Sequence, residues 1–100
     1  MVMDNGVMGL IPKGNENRIT SKEINKLTNI KDSTFRQIVN IARANFIPIA
    51  SDNKGYFIAE NPEDLNHTIA QINSRIHKMI QAREGLKKAQ KLMKEKNENV

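Results

Sequence analysis

Six side chains between residues 33 and 43 could do hydrogen-bonding chemistry. Ser33, Thr34, Arg36, Gln37, Asn40 and Arg43 occupy the polar side of a helical repeat. Arginine, glutamine and asparagine are the side chains that pair bidentately with guanine and adenine edges in a major groove. Lys22, Lys26 and Lys31 precede this set and Lys54 follows it, where ammonium groups can meet phosphates. Residues 18–56 hold seven basic and three acidic side chains, a net of +4. The chemistry expected of them is noncovalent contact with phosphates and base edges.

Other chemistries find little to work with. The chain has no cysteine, which removes disulfides, thiolate nucleophiles and zinc–thiolate sites. His67 and His77 lie ten residues apart with no clustered carboxylates, so no metal site is expected. Gly6-Val7-Met8-Gly9 lacks the later glycine and the strand-to-helix setting of a phosphate loop. The Asp52-Asn53-Lys54-Gly55 turn is too short for a calcium loop. Ser51 or Ser74 as a nucleophile would lack a base of defined geometry. Tyr56 and Phe57 beside a turn read as hairpin packing before they read as a stacking surface. The sequence therefore predicts no catalytic residue, no metal, no cofactor and no enzyme.

The elements that position the polar set follow from punctuation and periodicity. The N-terminal stretch to Ile11 reads as a short helix or ordered arm, and Pro12-Lys13-Gly14-Asn15 as a turn. Arg18-Ile19-Thr20 forms a short extended piece. Thr20 or Ser21 then caps a helix of about eight residues, with Glu23 favouring its positive end and Asn29 ending it in the left-handed conformation. Ile24, Leu27 and Thr28 are expected to face inward. A second helix, residues 32–44, starts at an Asp32 or Ser33 cap and turns Phe35, Ile38, Val39, Ile41 and Ala42 to the core. Next, Ile47 to Ala50 and Tyr56 to Ala59 flank a polar turn ending in Gly55, the pattern of a hairpin. Pro48 cannot donate to a ladder and marks an edge strand.

A composition change at Asn61-Pro62 splits the chain into a domain over 1–60 and a long helix over 61–100. Asn61 caps this helix, Pro62 takes its first position, and Glu63 and Asp64 complement its dipole. Leu65, Ile69, Ile72, Ile76 and Met79 follow a 4-3-4-3 spacing that continues through Arg83, Leu86, Gln90 and Met93. Leu65, Ile69, Ile72, Ile76, Met79, Leu86 and Met93 are thus candidate dimerisation residues of a coiled coil. Residues 75–96 carry eight basic and two acidic side chains. A helix over 62–96 is about 50 Å long at 1.5 Å per residue, longer than the domain before it, and is expected to project.

The chain has 100 residues, a formal charge of +5 and 38% hydrophobic residues, with a pI near 9.7. A chain this short buries only about 60–65% of its unfolded surface, so self-association is an expected source of stability. No run of about 18 apolar residues spans a membrane, and the N-terminus lacks the basic residues of a signal peptide. A chain that stays inside the cell is expected, and the Asn66-His67-Thr68 sequon is chance.

Residues 19–59 resemble the winged helix-turn-helix domains of bacterial and phage DNA-binding proteins, such as the N-terminal domain of the biotin repressor. The resemblance rests on Ile19-Thr20-Ser21-Lys22-Glu23-Ile24, Thr28-Asn29-Ile30, Thr34-Phe35-Arg36-Gln37-Ile38-Val39 and Asn53-Lys54-Gly55-Tyr56-Phe57-Ile58. The chain from Ile11-Pro12-Lys13-Gly14 onward is similar to small winged-helix proteins of phages and prophages of low-GC Gram-positive bacteria. The resemblance implies a mainly α fold with a small β-hairpin, a winged helix-turn-helix followed by a long C-terminal helix. It also implies that helix 32–44 enters the major groove of double-stranded DNA and that residues 50–56 form the wing. Lys22, Lys31, Ser33, Thr34, Arg36, Gln37, Asn40, Arg43 and Lys54 are then the DNA-binding candidates of a transcription or replication regulator, acting as a homodimer through its C-terminal helix. One departure stands out. Many relatives place arginine near the start of that helix, whereas Asp32 here repels phosphate unless it is engaged as the cap. The alternative is a winged-helix interaction module that binds a host or phage replication protein.

Overall fold

A computed structural model of the chain describes residues 6–98. The first five residues of the expected N-terminal arm lie outside the described residues. The chain forms two compact units, Met1–Thr68 and Ile69–Val100.

The first unit opens with a 3-10 turn, Met8–Leu10. Val7 and Ile11, on either side of it, are buried in the core. Two helices follow, α1 (Ser21–Thr28) and α2 (Asp32–Ala44), and then an antiparallel hairpin of β1 (Ile49–Asp52) and β2 (Gly55–Ile58). Ile49 pairs with Ile58 and Asp52 with Gly55, leaving a two-residue turn of Asn53 and Lys54. The extended piece at Ile19 forms an antiparallel bridge to Tyr56, and Lys13 a parallel one to Ile58. The fold is mainly α with a small β-hairpin, in winged helix-turn-helix order, followed by a long C-terminal helix.

Why these residues fold this way is visible at each junction. Thr20 caps α1, and with Glu23 it makes a reciprocal capping box. Asn29 ends α1 at φ 61°, and its N–H donates to the Asn25 carbonyl. The Asn25 amide then donates to the Ile30 carbonyl, and the Thr28 hydroxyl accepts from the Ile30 N–H. These local bonds set the turn between α1 and α2. Phe35 lies at the centre of the core, fully buried, with its ring edge-to-face against Tyr56 at a centroid distance of 4.9 Å. Such a pair contributes about 0.5–1.5 kcal/mol beyond burial. A Cβ on Gly55 would lie 2.6 Å from the Ile19 carbonyl oxygen, so only glycine fits where β2 meets that segment.

Several expectations are corrected. Leu27 is 65% and Ile41 52% exposed. At about 100° of rotation per residue, Ile41 lies about 100° round the helix from buried Ala42, off the core face. Likewise the inward side of α1 runs through Ile24 and Thr28, and Leu27 is turned away from it. The cap of α2 is Lys31, with no side-chain cap bond, and Asp32 is the first helical residue. The expected hairpin is present, but its strands run further toward the tip, so the polar turn expected over Ser51 to Gly55 shortens to Asn53 and Lys54. The final helix does not begin as α-helix at Pro62: Pro62–Leu65 is a 3-10 turn, and α3 runs Asn66–Glu98.

The boundary between units falls after Thr68, past the expected residue 60. The buried Thr68 hydroxyl accepts from the Ser51 N–H at 3.0 Å and donates to the Ser51 carbonyl at 3.2 Å, tying the first turn of α3 to β1. The Asp64 carboxylate accepts from the N–H groups of Glu60 and Asn61 and fixes the turn before it. In the second unit Ile72 is half-buried, while Ile69, Ile76, Met79, Ile80, Leu86, Leu92 and Met93 are exposed.

Candidate nucleic-acid interface

The capping box of α1 determines where the first basic side chain leaves the backbone. The Thr20 N–H and hydroxyl donate to the Glu23 carboxylate, and the Glu23 N–H donates back to the hydroxyl. These bonds hold the Glu23 carboxyl below its usual range, the backbone bond contributing most. Lys22 therefore leaves a pinned first turn and is exposed.

Lys22 and Asn25 of α1 face Lys31, Asp32, Ser33 and Arg36 at the start of α2 across an open depression of about 630 Å³. Four of the nine predicted site residues (Lys22, Lys31, Ser33 and Arg36) thus come together at one place. Three cations and one carboxylate leave it net positive, and the α2 N-terminus adds the partial positive charge of unpaired N–H groups. Thr34, Gln37 and Asn40 are exposed further along α2. Successive turns place Ser33, Arg36, Gln37 and Asn40 on one face. Because Asp32 makes no cap bond, its carboxylate stands in the depression.

Arg43 departs from the expected set. Its Nε donates to the Ile49 carbonyl at 2.9 Å and its Nη2 to the Ser51 hydroxyl at 3.1 Å. The guanidinium is turned onto β1 and leaves the exposed face of α2, because it satisfies backbone that the hairpin leaves open at its start. Arg18 is likewise engaged at the hairpin. Its Nε donates to both Asp52 carboxylate oxygens, at 3.1 and 3.0 Å, and its Nη2 lies 2.8 Å from Oδ2. Its Nη1 donates to the Asn15 carbonyl, and the guanidinium stacks 4.9 Å from the Phe57 ring centroid. Burial pushes the Asp52 carboxyl up, but the Lys54 N–H, which donates to it at 2.9 Å, and the Arg18 guanidinium hold it below its ordinary value. Asp52 in turn shapes the tip that carries exposed Lys54.

Of the seven basic side chains of residues 18–56, two are therefore absorbed into the hairpin. Lys22, Lys26, Lys31, Arg36 and Lys54 point to solvent. The Arg18–Asp52 pair carries no signal in the sequence, since the two residues are 34 positions apart. Phe46 is a second omission. It is 94% exposed and sits at φ 70°, in the left-handed region. Its N–H donates to the Arg43 carbonyl and the Ile47 N–H to the Ala42 carbonyl, the two bonds of a Schellman ending for α2. Glycine is the usual occupant of such a position.

Among the described residues no group of three or more His, Cys, Asp or Glu side chains is placed to hold a metal ion, and no helix is long and apolar enough to cross a membrane. No protein-family model, no curated protein sequence and no solved structure matches the chain.

Proposed function

We propose that the chain is a non-catalytic binding protein for double-stranded DNA, of phage or prophage type, acting in transcription or replication. The observation that carries this reading is the basic depression at the α1–α2 turn. Lys22, Lys31 and Arg36 converge there on the N-terminus of a helix whose exposed face continues through Gln37 and Asn40. In this reading Lys22, Lys31 and Lys54 contact phosphates, which fixes orientation on the duplex. Arg36, Gln37 and Asn40 then meet base edges, each good bidentate pair discriminating by about 1–3 kcal/mol. Arg43 is removed from the reading set and becomes the support that fixes α2 to the hairpin.

The test is a fluorescence-anisotropy titration of selected against random duplexes. The double variant Arg36→Ala with Gln37→Ala is expected to lose selectivity by at least tenfold, about 1.4 kcal/mol, with an unchanged melting temperature. Unaltered selectivity would remove α2 as the reader.

A second reading, a protein-interaction module, is favoured by one observation. Phe46 holds a large apolar ring in solvent on a backbone conformation that suits glycine. A Phe46→Gly variant that keeps DNA binding but loses a co-purifying protein partner would support this second use.

A further inference from the structure

Most helices owe their stability to a packed apolar face. The second unit is one helix whose large apolar side chains are mostly exposed: Ile69 53%, Ile76 49%, Met79 70%, Leu86 72% and Met93 66%. Their pattern says what covers them. Ile69, Ile76, Arg83 and Gln90 form one heptad column, and Ile72, Met79, Leu86 and Met93 the other. Leu65, the expected first member of the second column, lies in the 3-10 turn of the first unit and drops out of the helical register. The apolar columns of the α-helix therefore begin at Ile69 and end at Met93.

An open depression of about 580 Å³ on α3 is lined by Met79, Ala82, Arg83, Leu86, Lys87 and Gln90. In the heptad these residues outline two adjacent four-residue holes. One is formed by Met79, Ala82, Arg83 and Leu86, the other by Arg83, Leu86, Lys87 and Gln90. A facing helix fills holes of this kind with its own column residues.

We propose that α3 binds a second copy of this chain as an antiparallel coiled coil, with Ile69 of each copy against Met93 of the other. This deepens the self-association expected of the chain and stands apart from DNA binding. Orientation follows from charge. In a parallel pair Arg83 would face Arg83 in the interior, and residues 83–96, with six basic and two acidic side chains, would lie beside their own copy. Reversal sets Arg83 against the second copy's Met79 and Gln90 against its Ile72. It also lays the strongly basic half along residues 66–82, whose only Lys and Arg side chains are Arg75 and Lys78.

Register follows from the ends of the apolar columns. Pairing the first residue with the last centres the two-fold axis at residue 81. That choice brings Ile80 against Ile80, giving exposed Ile80 a partner, and puts small Ala82 beside Ala82 where the helices approach. In such a pair the interior layers are Ile69 with Met93, Ile72 with Gln90, Ile76 with Leu86, and Met79 with Arg83.

The native chain has no cysteine, so a single engineered thiol reports position without interference. Spin-labelled Lys94→Cys at high micromolar concentration is expected to give an intermolecular separation of about 39 Å, from twice thirteen residues at 1.5 Å rise. A mixed sample of Ser74→Cys and Lys88→Cys places its labels at one level of the pair, within about 20 Å given an interaxial distance of 8–10 Å. A Lys94 separation below about 20 Å would mean parallel helices and would overturn the orientation. No dipolar signal at that concentration would overturn the pairing altogether. Neither failure bears on the DNA titration, which reads α2 alone.

Discussion

Replacing Phe46 with glycine is expected to stabilise the first unit, against the usual cost of removing a phenylalanine. The side chain is 94% exposed, so almost no burial is lost. The backbone sits at φ 70°, where an L-residue carries about 1–2 kcal/mol of steric cost that glycine escapes. Glycine returns about 0.4–1 kcal/mol of that gain through the greater freedom of its unfolded chain. The net expectation is about 0.5–1 kcal/mol of stabilisation, or an upward shift in melting temperature of about 3–6 °C for a unit of this size. The Phe46 and Ile47 hydrogen bonds that close α2 are made by the backbone and survive the change. Urea unfolding at one fixed protein concentration, with Phe46→Ala alongside, checks the reasoning. Alanine keeps the left-handed cost and should lie within about 0.5 kcal/mol of the native chain. If glycine destabilised, or alanine cost more than about 1 kcal/mol, the ring would be packed in solution and the argument from exposure refuted.

Thr68→Val removes the hydroxyl that serves both the N–H and the carbonyl of Ser51. At a buried position this should cost about 1–3 kcal/mol by urea titration, and Thr68→Ser should recover most of it. Asp32→Asn removes the carboxylate from the basic depression and is expected to tighten binding to any duplex about two- to fivefold, on the order of 1 kcal/mol or less at an exposed site. Weaker binding would contradict the placement of phosphate there. The Asp52 carboxyl is held below its unfolded value, so its contribution is complete at neutral pH and disappears as pH falls through the acid carboxylate range. Asp52→Asn should accordingly lower the melting temperature at pH 7 and flatten its decline in acid. A decline unchanged from the native chain would remove Asp52 as a source of it.

The readable parts of the fold were those written in local chemistry. The α1 cap at Thr20 or Ser21 with Glu23 in the first turn, the left-handed Asn29 and the Gly55 turn each depend on residues within a few positions of one another, although the reciprocal Thr20–Glu23 box appears only in the structure. Periodicity placed Ile24, Phe35, Val39 and Ala42 in the core for the same reason. What escaped depends on contacts distant in sequence. Arg43 carries the same polar signature as Arg36, and only the approach of β1 decides that one guanidinium is satisfied internally while the other meets solvent. Leu27 and Ile41 are apolar residues near the edge of an inward stripe, where about 60–100° of helical rotation decides burial. Asp32 reads as a cap by residue type. The Asn29 turn instead delivers the chain one residue earlier, so Lys31 becomes the cap and the carboxylate stays in the depression. Leu65 fits the heptad arithmetic, yet the 3-10 turn that Pro62 and Asp64 stabilise takes it out of register.

Salt dependence of DNA binding tests the central claim most directly, because it counts phosphates neutralised without knowledge of the sequence read. With Lys22, Lys31 and Lys54 directed to solvent and assigned to phosphates on one unit, the logarithm of the binding constant should fall against the logarithm of salt with a slope of about −3 per bound unit. Lys22→Ala with Lys31→Ala should reduce the steepness of that slope by about 2 and weaken all duplexes alike. No binding at low salt, or a slope indifferent to those two lysines, would contradict the account.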